Sequence, residues 1–283
     1  MKIDTKKAID ELVGKGINLP PQPRVLLELQ KLLSSDSYLM SDLTRIISSD
    51  PSITAMLFKA VSSPVFSNGK KLESVEQVLM VIGIKQTFNL VQAISLATSI
   101  SDVSRRSFEV FWTRSQEVAK FASLIAADRV SVCNIFPDQA YMAGIFYECG
   151  VPILMQRFPE YCAKLNLDSS SSWPALAEED AQFNVDHCSI GYLMARHWRL
   201  PDFICQAILA RHEIPREELG AVRSLVAILQ LAFHLYCRIN RNGNPLWQKI
   251  RKDVLAELGI HPDTEQEYFE EITEQFLAQT RDS

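Results

Sequence analysis

Few side chains in this 283-residue chain have the type and spacing that metal or nucleophilic chemistry requires. Asp186-His187 stands at the predicted start of one helix, Arg211-His212 at the predicted end of the next, and Glu148 in an apolar segment. Imidazole and carboxylate groups can bind a metal ion or an anion when they converge. Histidines at helix ends are also common as hydrogen-bonded structural residues, because an imidazole there suits the helix dipole. Both interpretations of the two histidines are open at this point.

Other catalytic and binding signatures are missing from the sequence. It has no Gly-x-Gly-x-x-Gly or Gly-x-x-x-x-Gly-Lys-Ser/Thr loop for nucleotide phosphates and no Gly-x-Ser-x-Gly elbow for a nucleophilic serine. The six cysteines are widely spaced and form no Cys-x-x-Cys pair, so their spacing predicts no zinc site. We therefore expect buried thiols in a reducing compartment, and no cofactor.

Composition and charge restrict the class of partner. The net charge of −5 gives no general attraction for nucleic acid. The chain contains no run of about 18 apolar residues, so we expect no membrane span, and its first residues lack the apolar stretch of a signal peptide. We therefore expect a cytoplasmic protein without a membrane or nucleic-acid partner. A basic stretch at residues 238–252 could meet phosphate or an acidic partner, or could pair with the acidic tail that follows residue 263.

Helical periodicity runs through nearly the whole chain, with no convincing strand pattern and no internal repeat. Asp50-Pro51 predicts a helix start, with the aspartate as N-cap and the proline in the first turn. Ser74 and Gln77 have the spacing of a capping box before a second helix. Only 10 glycines and 13 prolines argue against a turn-rich β architecture. The predicted fold class is all-α, with a dozen or more helices.

Five predicted helices position the residues with chemical potential. Their predicted limits are residues 105–132, 137–150, 186–198, 201–212 and 221–239. The last of these is long and apolar and is followed by a firm break at Asn-Gly-Asn-Pro. Because amphipathic helices bury their apolar faces against one another, we expect a multi-helical bundle to bring the polar candidates together.

A set of short segments occurs in a characteristic order along residues 19–214. They are Leu-Pro-Pro-Gln-Pro at 19–23, Ile-Ser-Ser-Asp-Pro-Ser-Ile at 47–53, Phe-Trp-Thr-Arg-Ser at 111–115, Gly-Ile-Phe-Tyr-Glu-Cys-Gly at 144–150, and Asp-His followed by Gly-Tyr-Leu, Trp and Leu-Pro between 186 and 201. No single segment is decisive, but the ordered set resembles the HDOD family, the HD-related output domain of bacterial signalling proteins.

The resemblance implies an HD-like helical bundle and a role in signal transduction. It divides residues 19–214 into an N-terminal helical lobe at 19–104 and an HD-like lobe at 105–214. Residues 1–18 are then expected to form an N-terminal helix, and residues 215–283 a C-terminal helical extension.

The same resemblance predicts that the catalytic metal site is lost. HD-type phosphohydrolases bind metal through a His, an adjacent His-Asp pair and a later Asp, and an open position activates water or phosphate. In this chain those positions fall on Arg114, on Tyr147 and Glu148, and on Phe233. An arginine is itself a cation and a phenylalanine has no donor atom, so only Glu148 could still coordinate. We therefore expect no metal.

We predict that an ion pair replaces the metal. Arg114 and Glu148 would face each other in the ancestral pocket, where a buried arginine needs an anionic partner. The alternative is that one or both side chains point to solvent. His187 and His212 would line the same residual pocket with Glu148, where an adventitious metal ion or an anionic ligand such as a nucleotide could bind, unless they are structural histidines.

These inferences predict a non-catalytic signal-transduction module that binds a protein partner. The chain has no room for a fused receiver, GGDEF or EAL domain, so we expect a stand-alone adaptor. One alternative is a divergent metal-dependent phosphohydrolase acting on a nucleotide or cyclic dinucleotide, which is an argument from fold analogy. A second is a sensor that binds a nucleotide without cutting it.

Overall fold

The computed structural model describes residues 5–14, 16–35, 37–67, 69–99, 105–167 and 173–281, and every regular element in these ranges is helical. The α-helices are, in chain order, α1 (Thr5–Gly14), α2 (Arg24–Leu33), α3 (Met40–Ser48), α4 (Pro51–Val61), α5 (Pro64–Ser67), α6 (Val75–Ile82), α7 (Ile84–Ser99), α8 (Arg105–Cys133), α9 (Pro137–Phe146), α10 (Gly150–Arg157), α11 (Tyr161–Lys164), α12 (Leu176–Phe183), α13 (His187–His197), α14 (Asp202–Leu209), α15 (Ala221–Ile239), α16 (Trp247–Glu257) and α17 (Glu265–Arg281). The predicted all-α class is confirmed.

The predicted helix starts are set by local hydrogen bonds. The Asp50 side chain accepts bonds from the backbone N–H groups two and three residues on, at 2.9 and 3.0 Å, and Pro51 is the first helical residue. Ser74 Oγ accepts a bond from the Gln77 N–H at 3.1 Å. The Gln77 side chain reaches back to the Glu73 N–H at 2.8 Å, one residue earlier than in a standard capping box.

Two predicted helix ends are wrong, and both errors lie beside the candidate site. The helix predicted over 137–150 ends at Phe146, and a tight turn leads directly into α10 at Gly150. The backbone N–H groups of Tyr147, Cys149 and Val151 each donate to the carbonyl three residues earlier, at 3.3, 3.1 and 3.0 Å, so these peptide groups stay hydrogen-bonded through the turn. The helix predicted over 201–212 ends at Leu209, so Arg211 and His212 lie on the following turn.

The centre of the molecule is formed by α8, α9 and α15, with α7 packed on α9 from the N-terminal side. At the α8–α9 crossing, a Cβ on Gly144 would lie 2.5 Å from the Cα of Ala119, so the glycine permits the close approach. By length and composition α15 could cross a membrane, but 72% of its most apolar window is buried inside the fold. Helix α15 is therefore a core helix of this fold.

Trp198 joins the proline-rich segment at 19–23 and helix α7 to the end of α13. Its side chain is fully buried, and Nε1 donates a hydrogen bond to the Pro20 carbonyl at 2.9 Å. The Trp198 carbonyl accepts bonds from the side-chain amides of Gln22 and Gln92, both at 2.8 Å. The proline-rich segment at 19–23 is therefore anchored by the residue that ends α13.

The C-terminal helices close the bundle. Phe276 of α17 stacks on Phe121 of α8 with ring centroids 4.0 Å apart, whereas the neighbouring Leu277 is 43% exposed. Arg251 pairs with Glu265, with Nε 2.9 and 2.8 Å from the two carboxylate oxygens. The basic stretch is thus paired in part with the acidic tail, as one of the two interpretations predicted.

Candidate functional site

Glu148 lies between two buried arginines. Arg114 Nη2 is 3.3 Å from one carboxylate oxygen and Arg211 Nη2 is 3.5 Å from the other. All three side chains are only 2% exposed. The predicted ion pair of Arg114 and Glu148 is confirmed, and neither side chain points to solvent. The second arginine was not predicted.

The Arg114 guanidinium is enclosed by aromatic rings. Its Cζ lies 3.7 Å from the ring centroid of Trp173 and 4.4 Å from that of Phe111. Contacts this short between a cation and an aromatic face are attractive, particularly where water is excluded. Phe233 packs edge-on against Trp173, and its ring centroid is 6.1 Å from that of Tyr147. Phe233 therefore lies at the edge of the cluster as an aromatic neighbour.

Arg211 occupies the point on which the other polar groups converge. Its guanidinium donates to the Tyr147 carbonyl and lies 4.1 Å from the Tyr147 ring centroid. Nε donates to His212 Nε2 at 3.3 Å, and Nη2 contacts His187 Nε2. The backbone carbonyl of Arg211 accepts a bond from the Gln230 side chain. The turn that carries Arg211 is therefore anchored by a buried side chain of α15.

A carboxylate fixes the orientation of His187. Its Nδ1 is 2.5 Å from Glu179 Oε2, which also accepts the His187 backbone N–H at 3.2 Å. The Tyr161 hydroxyl donates to the other oxygen of Glu179. Nδ1 donates to Glu179 and Nε2 accepts from Arg211, so His187 is the neutral Nδ1–H tautomer. Asp186 caps α13 at the predicted helix start, accepting from a backbone N–H three residues on at 2.8 Å.

The protonation states follow from burial and from the arginine charge. Burial, with the charge of Arg211 adding to it, lowers the pKa of His187 well below its ordinary value and that of His212 to about 2. Burial raises the pKa of Glu179 to about 7, opposed by the hydrogen bonds from Tyr161 and His187. At neutral pH the two imidazoles are neutral, and the positive charge resides on the arginines.

These shifts predict that the protein loses stability on acidification. Burial also lowers the pKa of His234, to about 4, so three histidines are neutral when folded but protonated below about pH 6.5 when unfolded. The stability that these neutral imidazoles contribute is present above about pH 6.5 and is lost as the pH falls below it. Glu179 has the opposite effect on stability. Its folded pKa is raised to about 7, so the folded protein binds this proton more readily and its carboxyl adds stability as the pH falls through that value. Because three imidazoles oppose one carboxyl, we expect a net loss of stability as the pH falls from 7 to 5.

Urea unfolding at pH 7.5, 6 and 5 measures this dependence. His212→Gln removes one of the three titrating imidazoles, so the loss of unfolding free energy below pH 6 should be less steep than in the wild type. His261→Gln is the control, because its side chain is 70% exposed. Stability that is constant or rising between pH 7 and 5.5 would contradict the assignment of neutral buried histidines.

A resident metal does not fit these side chains. His187, Cys188 and His212 offer ligand atoms within 4.8 Å of one another, a spacing a metal could use. However, the Nε2 atoms of both histidines face the Arg211 guanidinium, whose fixed positive charge would repel a dication. Burial also raises the pKa of the Cys188 thiol to about 11, whereas a metal needs the thiolate.

There is also little space beside the carboxylate. The cavity that Glu148 lines with Trp112 and Cys149 has a volume of about 10 Å³, which is about that of one water molecule. A nucleotide predicted for the residual pocket would therefore enter only if the network around Glu148 opened.

The structure brings five of the predicted residues into one cluster, with Phe233 at its edge. Sequence reasoning missed Arg211, Glu179, Tyr161 and Trp173. Arg211 could have been found from its position next to His212. Glu179 lies in a run of three acids, Glu178-Glu179-Asp180, which is typical of an exposed helix face, so the sequence offered no signal for its burial.

Comparison with known proteins gives one family and several related folds. The model of the HDOD domain matches residues 19–214. An uncharacterized protein of Treponema pallidum (strain Nichols) is 21% identical over 262 residues, which cover 90% of this chain and 49% of that protein. The chain thus spans about half the length of this curated relative.

Two crystal structures share the fold. One is a "putative metal-dependent phosphohydrolase" of Shewanella amazonensis SB2B, with a TM-score of 0.72, 18% identity and 97% coverage of both chains. The other is a "putative signal transduction protein" of Marinobacter aquaeolei VT8, with a TM-score of 0.69, 21% identity and coverage of 94% of this chain and 60% of that one.

Proposed function

Because the chain belongs to the HDOD domain family, we propose that it is a non-catalytic signal-transduction module that binds a protein partner. The observation that carries this proposal is the Arg211 guanidinium, which lies where His187, His212 and Glu148 converge. This guanidinium, a monovalent cation that belongs to the chain itself, occupies the position that a catalytic metal ion would need.

Metal-dependent phosphoryl hydrolysis requires a coordination position open to water or phosphate. Here the imidazole Nε2 atoms of both histidines contact Arg211, and Glu148 is shared between two arginines. The Shewanella neighbour bears a phosphohydrolase name, but 18% identity relates the two proteins by fold alone. The alternative of a divergent phosphohydrolase rests on the spacing of His187, Cys188 and His212.

Surface features support a role in binding. Exposed large apolar side chains can contact a protein partner, and Leu27 of α2, Leu39 just before α3 and Met80 of α6 are 50%, 68% and 62% exposed. All six cysteines are free thiols, which favours a reducing compartment and hence the cytoplasm. The stand-alone arrangement stays a prediction, since the curated relative is about twice as long.

Elemental mass spectrometry of the untagged protein, purified without added metal, tests this proposal. We expect less than about a tenth of an equivalent of any transition metal, because binding would have to displace a buried guanidinium. We also expect no turnover of bis(p-nitrophenyl) phosphate with Mn²⁺ or Mg²⁺ added. Bound metal near one or two equivalents, with turnover that Glu148→Ala abolishes, would refute the proposal in favour of the phosphohydrolase.

A further inference from the structure

A larger cavity lies beside the polar network. It measures about 540 Å³ and is bounded by α4 and α5 of the N-terminal lobe, by α8 and α9, and by the C-terminal helix α17. This volume is within the range of pockets that hold small organic ligands. None of the charged residues of the network lines it, so its ligand would not compete with Arg211 or Glu148.

The walls of the cavity are mainly apolar and include three aromatic rings. Phe66 and Tyr141 meet edge to face with centroids 5.7 Å apart, and Trp112 contributes a half-buried ring from α8. Aromatic and aliphatic walls favour a ligand with an apolar body. On one side, Ser63 Oγ donates to Gln279 Oε1 at 2.9 Å, which ties α17 to the α4–α5 turn.

Two lysines give the cavity a positive charge. Lys59 is exposed on α4, whereas Lys120 is half-buried on α8, and both contribute to the lining. Both lysines line the same cavity, and the charge of Lys59 adds to burial in lowering the pKa of Lys120. Glu117 attracts Lys120, but among the described residues no salt bridge neutralises either lysine.

We propose that this cavity binds a small organic anion, with its anionic head group between Lys59 and Lys120 and its apolar body against Trp112 and Phe66. Such a head group offsets the positive charge of the two lysines, and the body contacts the apolar walls of the cavity. The side-chain amides of Gln116 and Gln275, which also line the cavity, can donate hydrogen bonds to polar substituents of the ligand or accept hydrogen bonds from them. This inference does not depend on the proposed function, because the two concern different cavities.

Paired dyes test both parts of the site. 8-Anilinonaphthalene-1-sulfonate and N-phenyl-1-naphthylamine share one aromatic body, but only the first carries an anionic group. We expect saturable fluorescence titration with about one equivalent of the sulfonate. The double variant Lys59→Gln/Lys120→Gln should bind the sulfonate about tenfold more weakly and the neutral dye unchanged. The double variant Lys70→Gln/Lys71→Gln removes the same charge from an exposed turn and should leave both affinities unchanged.

Competition identifies the head group. Decanoate and decyl phosphate carry a carboxylate and a phosphate on the same aliphatic body, and displacement of the sulfonate dye by either is the expected result. Sulfonate binding that is non-saturable, that survives in the Lys59/Lys120 variant, or that neither competitor reduces would overturn the proposal. Thermal melting of each variant confirms that it remains folded.

Discussion

Arg211→Ala is expected to lower the free energy of unfolding by about 3–5 kcal/mol, the range seen when one partner of a buried ion pair is removed. The change leaves Glu148 with Arg114 as its one remaining arginine. It also strips the Tyr147 carbonyl and His187 Nε2 of their donor, and an unsatisfied buried acceptor is itself destabilising.

Urea unfolding at pH 7.5 measures this effect, with Arg216→Ala as the matched control. Arg216 is exposed five residues away, so its removal should change stability by no more than about 0.5 kcal/mol. Arg211→Lys keeps the charge but loses the planar fork that reaches several acceptors at once, so it should rescue only part of the loss. A loss below about 1 kcal/mol in Arg211→Ala would show that the guanidinium is not held as described.

A double-mutant cycle separates the ion pair from the other contacts of Arg211. Glu148→Gln keeps the shape of the side chain but removes its charge, so Arg211→Ala in that background should cost less than in the wild type. The coupling energy then reports the Arg211–Glu148 interaction alone. Equal costs in both backgrounds would assign the stabilisation to the Tyr147 carbonyl and the histidines instead.

The part of this network that could be predicted is the part that falls in segments resembling the family pattern. Arg114 lies within the long helix α8, and Glu148 is enclosed by the two glycines of a recognisable segment, so an ordered comparison with the family pattern places them together. Arg211 was missed because the apolar period of α14 continues past its true end at Leu209. Periodicity locates a helix but not its last turn, and here that turn directs the side chain inward.

Glu179 shows a different limit. Its neighbours Tyr161 and His187 are 18 and 8 residues away in sequence, and the contacts exist only once α12 has packed beside α13. An acid in an acidic run has the local pattern of a solvated residue, so its burial is a property of tertiary packing. A site formed by side chains from several helices is therefore the feature that is hardest to predict from the sequence.

The fold was easier to predict than the site, because apolar periodicity and capping residues are local features that recur along the sequence. The limits of α15 match the predicted 221–239, since a long apolar run there lies between Gly220 and Asn240. The start of α4 was likewise predictable from Asp50, whose carboxylate bonds only to N–H groups within three residues. The placement of the segment at 19–23 against the end of α13 depends on non-local contacts such as the Trp198 bond to Pro20, which no local pattern specifies.

Gly150→Ala is the second change for which we expect a large effect. A Cβ at this position would lie 2.1 Å from the His187 carbonyl oxygen and 3.0 Å from the Gly191 nitrogen, and both neighbours are backbone atoms of α13. Neither can rotate away, so one methyl group would force α10 and α13 apart. Because α13 begins at His187, this separation would also shift the imidazole relative to Glu179 and Arg211.

We expect Gly150→Ala to lose at least about 3 kcal/mol of unfolding free energy, at the upper end for overpacking, since the clash involves backbone on both sides. Gly243→Ala is the control, because no atom lies within 4 Å of a Cβ there, and it should stay within about 0.5 kcal/mol of the wild type. Urea unfolding of both variants gives the comparison. If the two substitutions have the same effect, the α10–α13 crossing is looser than its geometry indicates, and the position of His187 cannot depend on it.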